Sequence, residues 1–181
     1  MVGSSVALAA NVTCSIYVQP CRGTPDADNI SGETGIIDFA DTIYALGGDD
    51  RVAPLPGNDT VYLGRGSDYV FGYLGDDTIY GGPGGDKNAA NTTNPAGLVG
   101  AEGSDKVYGQ DGGDRIDVAF GDRAGDKDHA SGGPGNDTIN AFDGAKDTIN
   151  CGKGTKDHVY FDKGIDSLSR NCEKKHPNVA P

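Results

Sequence analysis

The sequence predicts an all-β chain wound as a solenoid of short parallel strands. Three observations predict it. An aspartate returns every nine residues at Asp50, Asp59, Asp68, Asp77 and Asp86. A glycine sits two places before each, at Gly48, Gly57, Gly66, Gly75 and Gly84. A β-branched residue sits two places after the first four, at Val52, Val61, Val70 and Ile79. A fixed period of this kind marks a stacked-repeat architecture. The 30 glycines in 181 residues exclude a helical one, because an interior glycine costs a helix about 1 kcal/mol against alanine.

Each unit reads as a six-residue turn and a three-residue strand, G-G-x-G-x-D-x-U-x, with U apolar. Glycine at the fourth place permits the left-handed backbone of a tight turn. The U residue points inward, and strand alternation turns its two neighbours to solvent. Two units make a coil of 18 residues. About seven coils, spaced by about 4.8 Å, make a rod of roughly 34 Å.

Residues 1–10, M-V-G-S-S-V-A-L-A-A, end in a small-x-small pattern at Ala7-Leu8-Ala9. They read as a signal-peptide remnant or as vector-derived residues. Residues 11–22 read as an N-terminal cap holding Cys14 and Cys21, and 23–169 carry the repeats. Asp28 with Ile30 is the first unit, and Gly35, Asp41 and Ile43 make a stretched second one. After the clean units, Gly81 to Asp86 is a near-ideal turn with a poor strand that puts Asn88 at the inward place. An irregular polar insertion follows at 90–99. The pattern resumes with Gly103, Asp105 and Val107, then Gly112, Asp114 and Ile116. A second irregular piece covers 118–127. Asp128 and Ala130 are its weak repeat, followed by Gly135, Asp137 and Ile139. Asp147/Ile149, Asp157/Val159 and Asp166/Leu168 complete the array. Residues 170–181 read as a C-terminal cap and polar tail, closed by Cys172.

The four cysteines fall into two local pairs, Cys14 with Cys21 and Cys151 with Cys172. Three pairings are open, and the local one needs the shortest loops. No C-x-x-C occurs, so zinc and redox sites are not expected. Disulfides at both ends imply an oxidising compartment and a secreted protein. The net charge of -12 repels nucleic acid and anionic membranes and suits cations. No stretch is long enough to span a membrane as a helix.

The repeats resemble the RTX, or haemolysin-type calcium-binding, nonapeptide family. The match is best at Gly81-Gly82-Pro83-Gly84-Gly85-Asp86 and at Gly132-Gly133-Pro134-Gly135-Asn136-Asp137. The start A-L-A-A-N-V-T-C, with Cys21 beside the first repeat, is similar to exported actinobacterial members. The resemblance implies a right-handed parallel β-roll with several calcium ions in the turns. It also implies that aspartates bind them alongside backbone carbonyls of successive coils. The residues expected to hold metal are Asp28, Asp41, Asp50, Asp59, Asp68, Asp77, Asp86, Asp105, Asp114, Asp128, Asp137, Asp147, Asp157 and Asp166.

The chemistry of the residues agrees. Calcium takes six to eight oxygens from carboxylates and carbonyls. The 18-residue spacing stacks Asp50, Asp68 and Asp86 on one edge and Asp41, Asp59 and Asp77 on the other. Columns of like charge repel unless neutralised, so calcium binding contributes folding energy. A metal-free solenoid held by Asx-type turn bonds is the alternative, but it does not explain why the acid is always Asp and never Asn. Ala45, Pro54, Leu63 and Ala141 replace glycine at the first place of their units, which predicts weaker or empty sites there. Arg65 and Lys153 bring cations into turns where a carboxylate field is expected.

No catalytic residue is expected. His129 and His158 take outward seventh places, His176 lies in the tail, and no G-x-S-x-G, H-E-x-x-H or P-loop occurs. Tyr44, Tyr62, Tyr80 and Tyr108 line up at the ninth place of alternate units, opposite a mixed face of Arg51, Tyr69, Phe71, Arg115 and Asp117. Cross-strand stacking explains such a column. A strip for self-association, a polysaccharide or a protein partner is the functional reading. The sequence thus reads as a secreted calcium-binding module that folds on calcium and serves a structural or adhesive role. The alternatives are an accessory repeat module of a secreted hydrolase or toxin, and a calcium-dependent ice- or carbohydrate-binding face.

Overall fold

A computed structural model describes residues 10–14, 20–32, 40–87, 96–123 and 125–178. The expected signal remnant up to residue 9, the turn at Gly35, and Asn88 with the insertion through residue 95 lie outside them. Among the described residues the chain is all strand and turn. Two parallel sheets face each other, and successive strands alternate between them. Among the described residues the first sheet has nine strands: Ala10–Thr13, Asp28–Ser31, Arg51–Ala53, Tyr69–Phe71, Leu98–Val99, Arg115–Asp117, Thr138–Ala141, His158–Asp162 and Lys174–Asn178. The second has eight: Cys21–Arg22, Thr42–Tyr44, Thr60–Tyr62, Thr78–Tyr80, Lys106–Tyr108, His129–Pro134, Thr148–Lys153 and Ser167–Leu168.

The core is one inward residue per unit, as the period predicts. Ile30, Val52, Val70, Leu98, Ile116, Ile139 and Val159 form one buried column. Ile43, Val61, Ile79, Val107, Ala130 and Ile149 form the facing one. Each buried Val, Leu or Ile contributes about 1.5–3 kcal/mol, but one per nine residues is a thin core. Ala45, Leu63 and Ala141, which stand in for first-place glycines, are fully buried and thicken it.

The solenoid has about eight turns, one more than the repeat spacing predicts. The extra turn comes from the ends, because the cap strand Ala10–Thr13 and the tail strand Lys174–Asn178 both pair into the first sheet. Backbone pairing needs no inward apolar residue, so a tail without the pattern still adds a strand. Cys14–Cys21 and Cys151–Cys172 are both formed.

The first insertion is pinched at its base by an antiparallel bridge between Lys87 and Ala96. It therefore ends before Leu98–Val99, which form a strand in register with Val70–Phe71 and Ile116–Asp117. Leu98, not Asn88, aligns with the inward column. Val99 takes an outward place yet is buried with Ala96 and Ala101 against Tyr69 and Phe71. In the second irregular piece, Val118 still belongs to the core, and Val107 pairs with Ala130 as expected.

Candidate metal centre

The fourteen repeat aspartates form two columns, one at each edge where the sheets meet. Along the first, the backbone N–H of Asp28, Asp50, Asp68, Asp86, Asp114 and Asp137 each donates to Oδ1 of the next aspartate in the column, ending on Asp157, at 2.7–2.9 Å. Along the second, Asp41, Asp59, Asp77, Asp105, Asp128 and Asp147 do the same, ending on Asp166, at 2.7–3.0 Å. The interval is 18 residues in clean coils and 28 across the first insertion. Neither irregular segment moves an aspartate to the other edge.

This bond fixes each carboxylate and leaves Oδ2 over. In eleven of the fourteen, Asp50, Asp59, Asp68, Asp77, Asp86, Asp105, Asp114, Asp128, Asp137, Asp147 and Asp157, Oδ2 is buried and has no hydrogen-bond partner. Asp28 and Asp166 differ. Thr24 donates to both oxygens of Asp28, and the N–H groups of Asp147 and Asp162 occupy both oxygens of Asp166. Hydrogen bonding therefore accounts for half of each interior carboxylate. A buried polar group without a partner costs about 1–3 kcal/mol, more when charged. Eleven would match or exceed the roughly 5–15 kcal/mol of net stability of a typical domain. A proton or a cation must occupy them.

Without a cation, burial favours the protonated form. Burial, with neighbouring column carboxylates adding to it, pushes Asp77 up to about 9 and Asp86 up to about 8, against the lowering effect of a backbone hydrogen bond. Burial first, then neighbouring carboxylates (Asp128 beside Asp105, Asp143 beside Asp147), push Asp105 and Asp147 up to about 7 against the same lowering bond. An oxygen-only donor set of stacked carboxylates fits a hard cation such as calcium.

The turn backbone explains the glycines. A Cβ on Gly66 would lie 1.7 Å from the carbonyl oxygen of Gly48, and one on Gly112 only 1.2 Å from that of Gly84. Turn glycines thus stack over the carbonyl of the previous coil. Gly57, Gly75, Gly103 and Gly135 share the positive φ of this place. At the first place of the unit, a Cβ on Gly72, Gly81 or Gly132 would meet Oδ2 of its own aspartate at 2.3–2.4 Å.

Several features escaped the sequence reading. The second turn place is also left-handed, and Leu46, Leu55, Tyr73, Ala101 and Gln110 occupy it with φ of 70–82°. The cation whose charge lowers Asp114 and Asp137 is Lys87, whereas the expected Arg65 and Lys153 are exposed side chains. Asp122 and Asp143, outside the repeat series, also carry buried Oδ2 atoms without partners. Burial first, then the adjoining Asp128 carboxylate, holds the Asp122 carboxyl well above the usual carboxylate range. Their only sequence signal is that both lie where the nine-residue spacing fails.

The tyrosine column is a stack. Tyr44, Tyr62, Tyr80 and Tyr108 lie 4.8–5.1 Å apart with rings within 10° of parallel. Arg22 covers Tyr44 at one end, and His129 lies tilted against Tyr108 at the other. A groove of about 640 Å³ lies on the outer face of the first sheet. Asn11, Asn29, Arg51, Tyr69, Phe71 and Tyr73 are among its lining, which among the described residues includes no carboxylate or imidazole. No helix among the described residues is long and apolar enough to cross a membrane.

Neither a curated protein nor a solved structure matches the chain. The model of the RTX calcium-binding nonapeptide repeat matches four times, at residues 38–61, 55–87, 98–123 and 124–155, more than half of the chain. A β-roll of such repeats is a structural calcium-binding module rather than a catalytic fold. With two aspartate columns in register and calcium-binding repeats along most of their length, the chain belongs to the RTX calcium-binding nonapeptide repeat family, whose repeats bind several calcium ions.

Proposed function

We propose that this chain is a secreted structural or adhesive module whose β-roll folds when it meets external calcium. The observation that carries the reading is the set of eleven buried Oδ2 atoms without partners along two columns. These oxygens, with turn carbonyls, are the proposed calcium ligands. Asp28 and Asp166, whose oxygens are engaged elsewhere, are the weakest of the fourteen candidates. The ion supplies the positive charge that lets these carboxylates ionise while buried. The thin core gives little to hold the coils together without it. Two disulfides and the repeat family support secretion, since cytosolic calcium is scarce and disulfides persist outside the cell.

The tyrosine stack supports a structural role before an adhesive one, because each interior ring already has both faces covered by its neighbours. Circular dichroism during a calcium titration tests the proposal. The expected result is a largely disordered spectrum in chelator and a β-rich one at millimolar calcium. A full β spectrum in excess chelator at neutral pH would overturn it.

A further inference from the structure

We propose that Asp122 and Asp143 join the repeat's own Asp128 in one calcium site whose ligands the nonapeptide repeat alone does not supply. Asp122 belongs to the irregular segment after Val118, and Asp143 to the ten-residue interval between Asp137 and Asp147. The fold brings these two breaks in the period together. The turn of Asp128 stacks directly on that of Asp147, with the Asp128 N–H donating to Asp147 Oδ1 at 3.0 Å. One carboxylate oxygen from each of Asp122, Asp128 and Asp143 lies within 4.8 Å of the other two.

Each carboxylate is held in place by a backbone N–H. Asp122 Oδ1 accepts from Gly103 at 3.3 Å, Asp128 Oδ1 from Asp105 at 2.7 Å, and Asp143 Oδ1 from Ala145 at 2.6 Å. Oδ2 of all three is buried and has no hydrogen-bond partner. Asp128 itself is 3% exposed, so solvent does not satisfy it. The nearest arginine in sequence, Arg123, is paired with Glu102 at 2.6 Å, with its side chain 78% exposed. Three carboxylates without a cation repel one another, and burial strengthens the repulsion.

An all-oxygen set of this charge selects a hard divalent ion rather than zinc. Opposite ligands of calcium stand about 5 Å apart, which accommodates the observed spacing. Affinity rises with ligand charge, and two of these carboxylates come in addition to the repeat's own. The site therefore fills before the other repeat turns and locks the register of the coils across the second irregular segment. The inference goes beyond the repeat reading, since the repeats supply neither Asp122 nor Asp143.

The test is equilibrium dialysis of the full chain with radioactive calcium, comparing wild type with an Asp122→Asn, Asp143→Asn variant. A charge-matched control carries Asp26→Asn and Asp111→Asn, both exposed. The expected result is one ion fewer and loss of the tightest binding step in the variant only. An unchanged count and first step, or the same loss in the control, would overturn the inference. If the double variant does not fold at saturating calcium, Asp122→Asn alone is read by the same two outcomes. The proposed repeat sites fail differently. Wild type holding a single ion, lost in the variant, would sink them and leave this site standing.

Discussion

Each interior aspartate does two things with one carboxylate. Oδ1 stitches its coil to the one before, and Oδ2 is left for a charge partner. Asparagine could supply the first role but not the second, which is why the repeated acid was legible as a metal ligand. The influence of Lys87 was not legible, because it depends on the turn of Gly85 stacking beside that of Gly113. The carboxylates also predict opposite pH responses with and without calcium. In the ion-free chain their folded pKa values are raised, by burial first, from the ordinary 3.8 to about 6 at Asp59 and about 9 at Asp77. Folding then retains protons that the unfolded chain releases. That contribution is fully present below about pH 4 and is lost as pH rises through about 6–9. In chelator, acidification from pH 8 to pH 4 should increase β structure by circular dichroism. In calcium the same acidification should weaken binding, since protons compete for Oδ2. Slopes of the same sign in both conditions would contradict this account.

At the scale of the element, the unit is a turn with a short strand attached. In the clean units the strand was legible, because alternation admits one inward orientation for the β-branched residue at its centre. The turn was half legible. Glycine at the fourth place was expected for its backbone angle, and the structure adds the contact with the coil below. Gly112→Ala separates the two effects. Gly112 has φ +145° and a backbone carbonyl where Cβ would go, whereas Gly125 has φ +134° and nothing within 4 Å. Gly112→Ala should cost about 3 kcal/mol or more, and Gly125→Ala only about 1–2 kcal/mol from the left-handed backbone. Urea unfolding in saturating calcium measures both. Equal losses would mean that backbone strain alone, not the stacked carbonyl, dictates the glycine.

For the whole molecule, each coil touches only its neighbours, so stability is a sum of coil and interface contributions. The ends are then the weakest places, and both carry a disulfide. Cys151–Cys172 closes a separation of 21 residues and Cys14–Cys21 one of 7. Chain entropy makes the longer closure worth more, about 3 kcal/mol. Cys151→Ser, Cys172→Ser should therefore cost more in calcium than Cys14→Ser, Cys21→Ser. Hydrogen exchange should show the tail strand Lys174–Asn178 opening first in the former. A uniform loss of protection along the rod would show that the coils do not act as nearest neighbours.

The sequence by itself determined the period, the inward residue, the acid and the pairing of coils at 18 residues, because a solenoid makes neighbours in space from a constant interval in the chain. It carried no equivalent information where the interval breaks. There only the tertiary structure decided that the first insertion closes at Lys87 and Ala96, that Leu98 resumes the core, and that the tail adds a strand. It also decided that Asp122 and Asp143 converge on Asp128. The physical reason is the same in each case. Parallel ladders and the Oδ1 bonds restore the register on both sides of an irregular segment, and what lies within it is placed by that closure rather than by its own pattern.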